Sequence, residues 1–448
     1  MSNAAASPQH VAVLAFPYGT HAAPLIAIIR HLAHLSPDTH FSFLSTAASN
    51  AALFSVKNPA NLTRRDVPEP PADGRHHSVV MTAFLSTAGE VFRKEVAEVE
   101  VEVGRRVTCL VTDAFFGFAA EMAAEMGVGW VAFWTAGPAS LSAHFHTDLI
   151  REKVGSQGLG GLELDMLDFI PGMSKIRVHD IPSEVLGDIN SGFPKALHQM
   201  ARALPKANSV FINSFEALDP NITSDLNSKL HNFLNIGPLS LLINQPPSLD
   251  THECLPWLDT QKPNSVAYIS FGTVTAPPPL ELVAIAEALE ESQTPFLWSL
   301  KDHSRANLPD GFLDRTSELG KIVPWAPQVD ILAHPSVGVF ITHCGWNSVL
   351  EGVISGVPMI GRPFFGDQKI NARVISDVLG IGGVIEGGTF TKSGLTDILE
   401  VILMGKSGGK MRERGEELKK AAREAVKEDG SSVRDLKVLL EQVNEVIN

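Results

Sequence analysis

The chain has 448 residues, long enough for two or three compact units each with its own core. Hydrophobic residues make up 44% of it and charged residues 19%, a balance that excludes a disordered polymer. Asp and Glu number 50 against 36 Lys and Arg, giving a net charge of −14, which is the wrong sign for a general nucleic-acid binder. Any phosphate-bearing ligand must therefore be held by local donors working against the long-range field.

Cys109, Cys254 and Cys344 stand far apart with no Cys-x-x-Cys, so neither a disulfide framework nor a thiolate zinc site is expected. Val11 to Phe16 lacks the basic flank and the length of a signal-peptide core, and no run approaches the roughly 18 apolar residues of a membrane span. A cytoplasmic protein without membrane insertion, and without a nucleic-acid partner, is the expectation. Asn61-Leu-Thr and Asn221-Ile-Thr match the glycosylation pattern, which is common by chance.

The first apolar run, His10 to Phe16, closes on Pro17-Tyr-Gly-Thr20, after which Leu25, Ile28, Ile29 and Leu32 recur at helical spacing. Strand, turn and helix follow one another. Pro24 falls in the first helical turn, where a missing N–H costs no intrahelical bond. Phe41 to Thr46 is the next strand, whereas Asn58 to Gly74 is too rich in Pro, Asp and Arg to be regular. Val107 to Thr112 reads as a buried strand, Phe118, Met122 and Met126 as a helix face, and Trp130 to Trp134 as another strand. This alternation predicts a parallel sheet covered on both faces. Gly155 to Gly161 has no strand before it and reads as a linker.

The proline-bearing stretch Ile236 to Ser248 marks a boundary. Beyond it come strand Val266 to Phe271, helix Glu281 to Glu291, strands Pro295 to Leu300 and Val337 to Thr342, helix Trp346 to Ser355 and strand Val357 to Ile360. Two α/β halves joined by a linker predict a cleft between two Rossmann-like domains. Val433, Leu436, Leu440, Val443 and Ile447 lie on one face of a terminal helix that docks onto the body.

The segment Val337 to Glu351 is a buried strand that turns at His343-Cys-Gly345 into a helix. Free N–H groups and the positive end of the helix dipole converge at such a turn, and His343, Asn347 and Ser348 add side-chain donors for an anion. Asn347 and Ser348 as simple helix caps is the competing reading. No Gly-x-Gly-x-x-Gly follows a strand and no Gly-x4-Gly-Lys-[Ser/Thr] occurs, which disfavours a nicotinamide oxidoreductase or a P-loop protein. There is also no Asp-x-Asp pair and no His/Asp cluster at metal spacing, so a pyrophosphate here would be held without a protein-bound metal.

Residues Trp325 to Gln368, WAPQVDILAHPSVGVFITHCGWNSVLEGVISGVPMIGRPFFGDQ, resemble the signature box of plant family 1 (secondary-product) UDP-glycosyltransferases. The resemblance covers essentially the whole chain and is nearest to flavonoid and anthocyanidin 3-O-glucosyltransferases, through WTAGP at 134–138, FINSFEALD at 211–219 and SFGTVT at 270–275. It implies an α/β GT-B architecture, two Rossmann-like parallel-sheet domains facing across a cleft. The expected bounds are 1–240 for the acceptor domain, 241–430 for the UDP-sugar domain and 431–448 for a helix packing back on the first.

The same resemblance implies residue roles. Trp325 stacks on uracil, the Ala326 backbone reads the base edge, Gln328 belongs to the donor site and Glu351 accepts from the ribose hydroxyls. His343, Asn347, Ser348 and Thr273 hold the diphosphate, while Trp346, Asp367 and Gln368 grip the hexose, Gln at the last position going with glucose donors. His21, in the PYGTH turn at the carboxyl edge of the first sheet, is the base, and Asp113 orients it as in a catalytic triad. Gly19, Phe115, His144 and Phe365 line the acceptor pocket, the two Phe rings suiting a flat aromatic ligand. In two places the chain departs from the family: Gly19 replaces a small hydroxyl residue, and the 61–81 region is abbreviated.

The activity implied is inverting transfer of glucose from UDP-glucose to the 3-hydroxyl of a flavonol or anthocyanidin by a monomer that needs neither cofactor nor metal. C-glucosylation, another phenolic acceptor, and a non-catalytic UDP-sugar-binding protein are the alternatives.

Overall fold

Seven short strands build the first sheet: β1 His10–Leu14, β2 His40–Thr46, β3 Leu62–Val67, β4 Cys109–Asp113, β5 Gly129–Trp134, β6 Ser209–Ile212 and β7 Phe233–Asn235. All pair in parallel, in the order β3-β2-β1-β4-β5-β6-β7. The computed structural model describes residues 9–70, 77–155, 166–243, 249–385 and 388–445. Every residue of β1, β4, β5 and β6 is buried, as expected of strands with helices on both faces.

β3 corrects the expectation that 58–74 is irregular. The strand sits at the sheet edge with Leu62 and Val67 buried at its two ends and mostly polar residues between them. Its central Arg65 pairs with Glu95, Glu98 and Glu102 on the His77–Val103 helix, so the charge that argued against a strand is neutralised by a neighbouring helix.

The second sheet comprises β8 Val266–Ser270, β9 Phe296–Ser299, β10 Gly320–Val323, β11 Val337–Thr342, β12 Met359–Gly361 and β13 Gly382–Val384. These strands are again parallel, in the order β10-β9-β8-β11-β12-β13. Each sheet starts in the middle and reverses direction once, between β1 and β4 in the first and between β8 and β11 in the second. Ligands of open α/β sheets bind at the carboxyl ends of such reversal points. His21 follows β1 and Asp113 ends β4; Thr273 follows β8 and His343 follows β11. β11 and the Trp346–Ser355 helix have the predicted bounds, and Gly356, at φ 74, ends that helix in the left-handed region.

Direct contacts join the halves. The Trp346 indole N–H donates to the Asn213 carbonyl at 2.7 Å, and the ring lies so close to Gly137 that a Cβ there would come within 2.7 Å of it. The Ser431–Asn444 helix packs against β4 to β7 of the first sheet, its Leu436, Leu439 and Val443 joining the core that holds Val111, Phe133 and Phe211. Leu439 takes the deeper place predicted for Leu440, which is only half-buried, and Ile447 lies outside the described residues. So do residues 244–248 of the expected boundary and nearly all of 155–161. The Asn61 amide donates to the carbonyls of Ala33, Ser36 and Thr39, which locks this side chain into a turn.

Candidate active site

His21 opens the Ala22–Leu35 helix, with its ring set between Phe16 and Phe115 at centroid distances of 5.0 and 4.5 Å. Its Nδ1 lies 2.7 Å from Asp113 Oδ2, whose side chain is 1% exposed. Asp113 Oδ1 accepts the Phe115 main-chain N–H at 2.9 Å, so the carboxylate both caps the local turn and orients the imidazole. Thr135, in the WTAGP turn after β5, adds its hydroxyl 3.1 Å from the same Nδ1. Sequence reasoning quoted that motif without singling out Thr135. With Nδ1 engaged, Nε2 is the nitrogen left to take a proton.

Beside His21 the surroundings are aromatic. Phe115 contacts Trp134 and Phe193 at 5.9 and 5.7 Å, and His144 stands edge-on to Trp134 at 5.7 Å. His144 is buried, and burial lowers its pKa to about 4, so it is a neutral wall residue and not a solvent-facing one. Gly19 sits exposed at φ 62 with only the His21 ring near where a Cβ would be, a turn that favours glycine over the family's hydroxyl residue. Phe365, from the other half, is 52% exposed.

On the opposite side, β11 ends in His343, Cys344 at φ 64, and Gly345, which caps the Trp346–Ser355 helix without any side-chain hydrogen bond. Neither Asn347 nor Ser348 caps it, which disposes of the competing reading. The first-turn N–H groups have no intrahelical acceptor. His343 is wedged between two glycines: a Cβ on Gly272 would lie 3.0 Å from its ring, and one on Gly345 would overlap Nε2. Burial lowers His343 to about pKa 4, and its buried Nδ1 has no hydrogen-bond partner. It is a neutral donor or acceptor with unused capacity. Thr273 follows Gly272 and gives its carbonyl to Lys301 Nζ at 2.6 Å.

Gln328 ties Tyr268, Ser348 and Glu351 together. Its Oε1 accepts from the Tyr268 hydroxyl at 3.2 Å, and its Nε2 donates to Ser348 Oγ at 3.0 Å and Glu351 Oε2 at 2.6 Å. Burial pushes the Glu351 carboxyl up while the Gln328 bond opposes it. Trp325, just before Ala326, is 46% exposed, leaving an indole face open for stacking.

Asp367 and Gln368 begin the Gln368–Arg373 helix. Gln368 Oε1 accepts the main-chain N–H groups of Phe364 and Phe365 at 2.8 and 3.2 Å, leaving its amide nitrogen without a partner. Asn371, fully buried, donates to Asp367 Oδ2 at 2.7 Å and to the Cys344 carbonyl at 3.0 Å. Burial raises Asp367, and Asn371, His21 and the Gly137 main-chain N–H all oppose that shift. Asp367 is therefore near enough across the cleft for its charge to interact with His21. Asn371 was missed because it falls beyond the signature box, and an isolated Asn carries no sequence signal. The Trp346 indole N–H is donated to the Asn213 carbonyl, which leaves its main-chain N–H as the group it can offer a ligand. Among the described residues no group of three or more His, Cys, Asp or Glu is placed to hold a metal ion, and no helix is long and apolar enough to cross a membrane.

Two parallel sheets facing across a cleft, with an uncapped helix start on one and an oriented imidazole on the other, form the GT-B fold of glycosyltransferases. The model of the UDP-glucoronosyl and UDP-glucosyl transferase family matches residues 196–412, and the chain belongs to that family. It is 51% identical to the anthocyanidin 3-O-glucosyltransferase of Vitis vinifera, over 99% of both chains. It is 52% identical to the flavonol 3-O-glucosyltransferase of Arabidopsis thaliana, over 98% of both. A crystal structure of a UDP-glucose: anthocyanidin 3-O-glucosyltransferase in complex with UDP superposes with a TM-score of 0.92 at 42% identity, covering 98% of this chain and 99% of that one.

Proposed function

We propose that this chain transfers glucose from UDP-glucose, with inversion, to the 3-hydroxyl of a flavonol or anthocyanidin. The observation that carries this reading is the hydrogen-bond chain from Cys344 through Asn371 to Asp367, whose carboxylate also meets the Gly137 main chain of the half that carries His21. It supports a site in which the turn at 343–345, Asp367 and His21 face one cleft. His21 Nε2 takes the acceptor proton, the freed oxygen attacks the anomeric carbon, and the bond from that carbon to the UDP oxygen breaks on the opposite face. Asp113 stabilises the imidazolium, and the N–H groups at 345–348 with neutral His343 stabilise the departing UDP. Trp325, Ala326, Gln328 and Glu351 hold the nucleoside, Asp367 and Gln368 the hexose, and Phe115, Phe365, His144 and Gly19 the aglycone.

In the same reading residues 1–240 form the acceptor domain and 241–430 the donor domain, and the protein is a cytoplasmic monomer working without a metal. The test is to incubate it, with EDTA present, with UDP-glucose or UDP-galactose against quercetin, cyanidin and simple phenols, and to locate the sugar by NMR. A 3-O-glucoside formed under chelation is the expected product. An acid-stable adduct would establish C-transfer instead, and UDP binding without any product would make the protein a sugar-nucleotide binder.

A further inference from the structure

Asp180 ends the Val178–Asp180 turn of the first half, and Arg373 ends the Gln368–Arg373 helix of the second. Arg373 Nε donates to Asp180 Oδ2 at 2.8 Å and Nη2 to Oδ1 at 3.4 Å, a two-pronged pair with side chains only 10% and 8% exposed. A second link runs beside it, from Lys175 Nζ to the Asp377 carbonyl at 2.7 Å. The helix they grip has six residues, about 9 Å of axis, and its other end carries Asp367 and Gln368. The loop leading into that helix is held by Arg362 on Glu281, a pair wholly within the second half. The Asp367 end is therefore tied to its own domain through that loop, with one main-chain contact to Gly137, and the Arg373 end is clamped side chain to side chain to the domain that carries His21.

We propose that Asp180 is a positioning residue: through Arg373 it sets the distance between the hexose-holding Asp367 and Gln368 and the His21 imidazole. This rests on the transfer reaction proposed above. The diphosphate and nucleoside residues, His343, Glu351, Gln328 and Trp325, share no bond with the pair, so its loss should misalign the sugar without loosening the nucleotide.

Asp180→Asn tests this. The side chain keeps its size, can still accept the Arg177 main-chain N–H, and leaves Arg373 bonded to Asp377 at 2.6 Å, so no buried cation is orphaned. The expected result is a fall in kcat of roughly 10- to 100-fold, the scale of a displacement of about 1 Å at a reacting centre. KM for UDP-glucose and the calorimetric Kd for UDP should stay within about threefold on the same scale of reasoning. Asp180→Glu, which restores the charge, should recover part of kcat. Should Asp180→Asn not fold, Arg373→Lys, which keeps the cation and loses the two-pronged geometry, is expected to show the same split. Unchanged kcat at an unchanged thermal midpoint overturns the proposal, as does a loss of UDP affinity in step with kcat. No transfer by the unmodified protein overturns the underlying reading as well, which separates the two failures.

Discussion

His21 Nδ1 and Asp113 Oδ2, 92 residues apart in sequence, meet at 2.7 Å because their strands are neighbours at the reversal point of the first sheet. In the proposed reaction this contact holds the proton on Nδ1 and reserves Nε2 for the acceptor. His21→Ala is expected to lower turnover by roughly 10²- to 10⁴-fold, and Asp113→Asn, which permits the wrong tautomer, by a similar order. UDP affinity measured by calorimetry should stay within a few-fold in both. Loss of UDP binding in either variant would contradict the assignment.

Gly345→Ala tests the diphosphate role proposed for the turn at 343–345. Its φ of −62 accepts alanine without backbone strain, yet the new Cβ would overlap His343 Nε2 while Gly272 closes the other face of the ring. With nowhere to retreat, the imidazole must leave the turn. UDP should bind roughly 10- to 100-fold more weakly, about 1.4 to 2.7 kcal/mol. Unaltered UDP affinity would remove His343 from the site.

Gln368→Glu separates the two tasks of that side chain. A carboxylate can still accept from Phe364 and Phe365, so the loop bearing Phe365 keeps its shape, but the amide donor is lost. We expect KM for UDP-glucose to rise about tenfold, near 1.4 kcal/mol, with Kd for UDP and KM for the acceptor little changed. Equal effects on donor and acceptor KM would show that Gln368 acts only through the loop.

Asp219 offers a pH test remote from the chemistry. Its Oδ2 is buried without a hydrogen-bond partner, and burial raises its carboxyl to about 6. A raised carboxyl makes the folded state bind more protons than the unfolded one between about pH 4 and 6, so its stabilising contribution is complete below that window and lost above it. Asp219→Asn should therefore gain on the parent protein by about 1–2 kcal/mol between pH 5 and pH 7.5. Urea midpoints at the two pH values measure this, and a pH-independent difference would refute it.

What sequence could and could not disclose follows from range. β11 and the helix after it were legible to the residue because an apolar run, a glycine turn and an amphipathic helix are local signals. β3 was hidden because Arg65 becomes tolerable only through carboxylates some thirty residues away. Candidates such as His343 and Glu351 stood out within one contiguous box, whereas Asn371, Gly137 and Thr135 matter only through partners on other elements, Cys344, Trp346 and His21. The helix face misplaced by one position at Leu439 shows the usual limit of periodicity near a chain end.

The indole of Trp346 has a consequence for the last step of the cycle. It belongs to the first turn of the helix whose N–H groups are proposed to hold the pyrophosphate, and its own N–H is fastened to Asn213 on the far lobe. The lobes cannot swing apart without tugging on that turn. Egress of spent nucleotide and gaping of the enzyme are thereby mechanically tied, and a tryptophan fluorescence transient should accompany the departure of UDP.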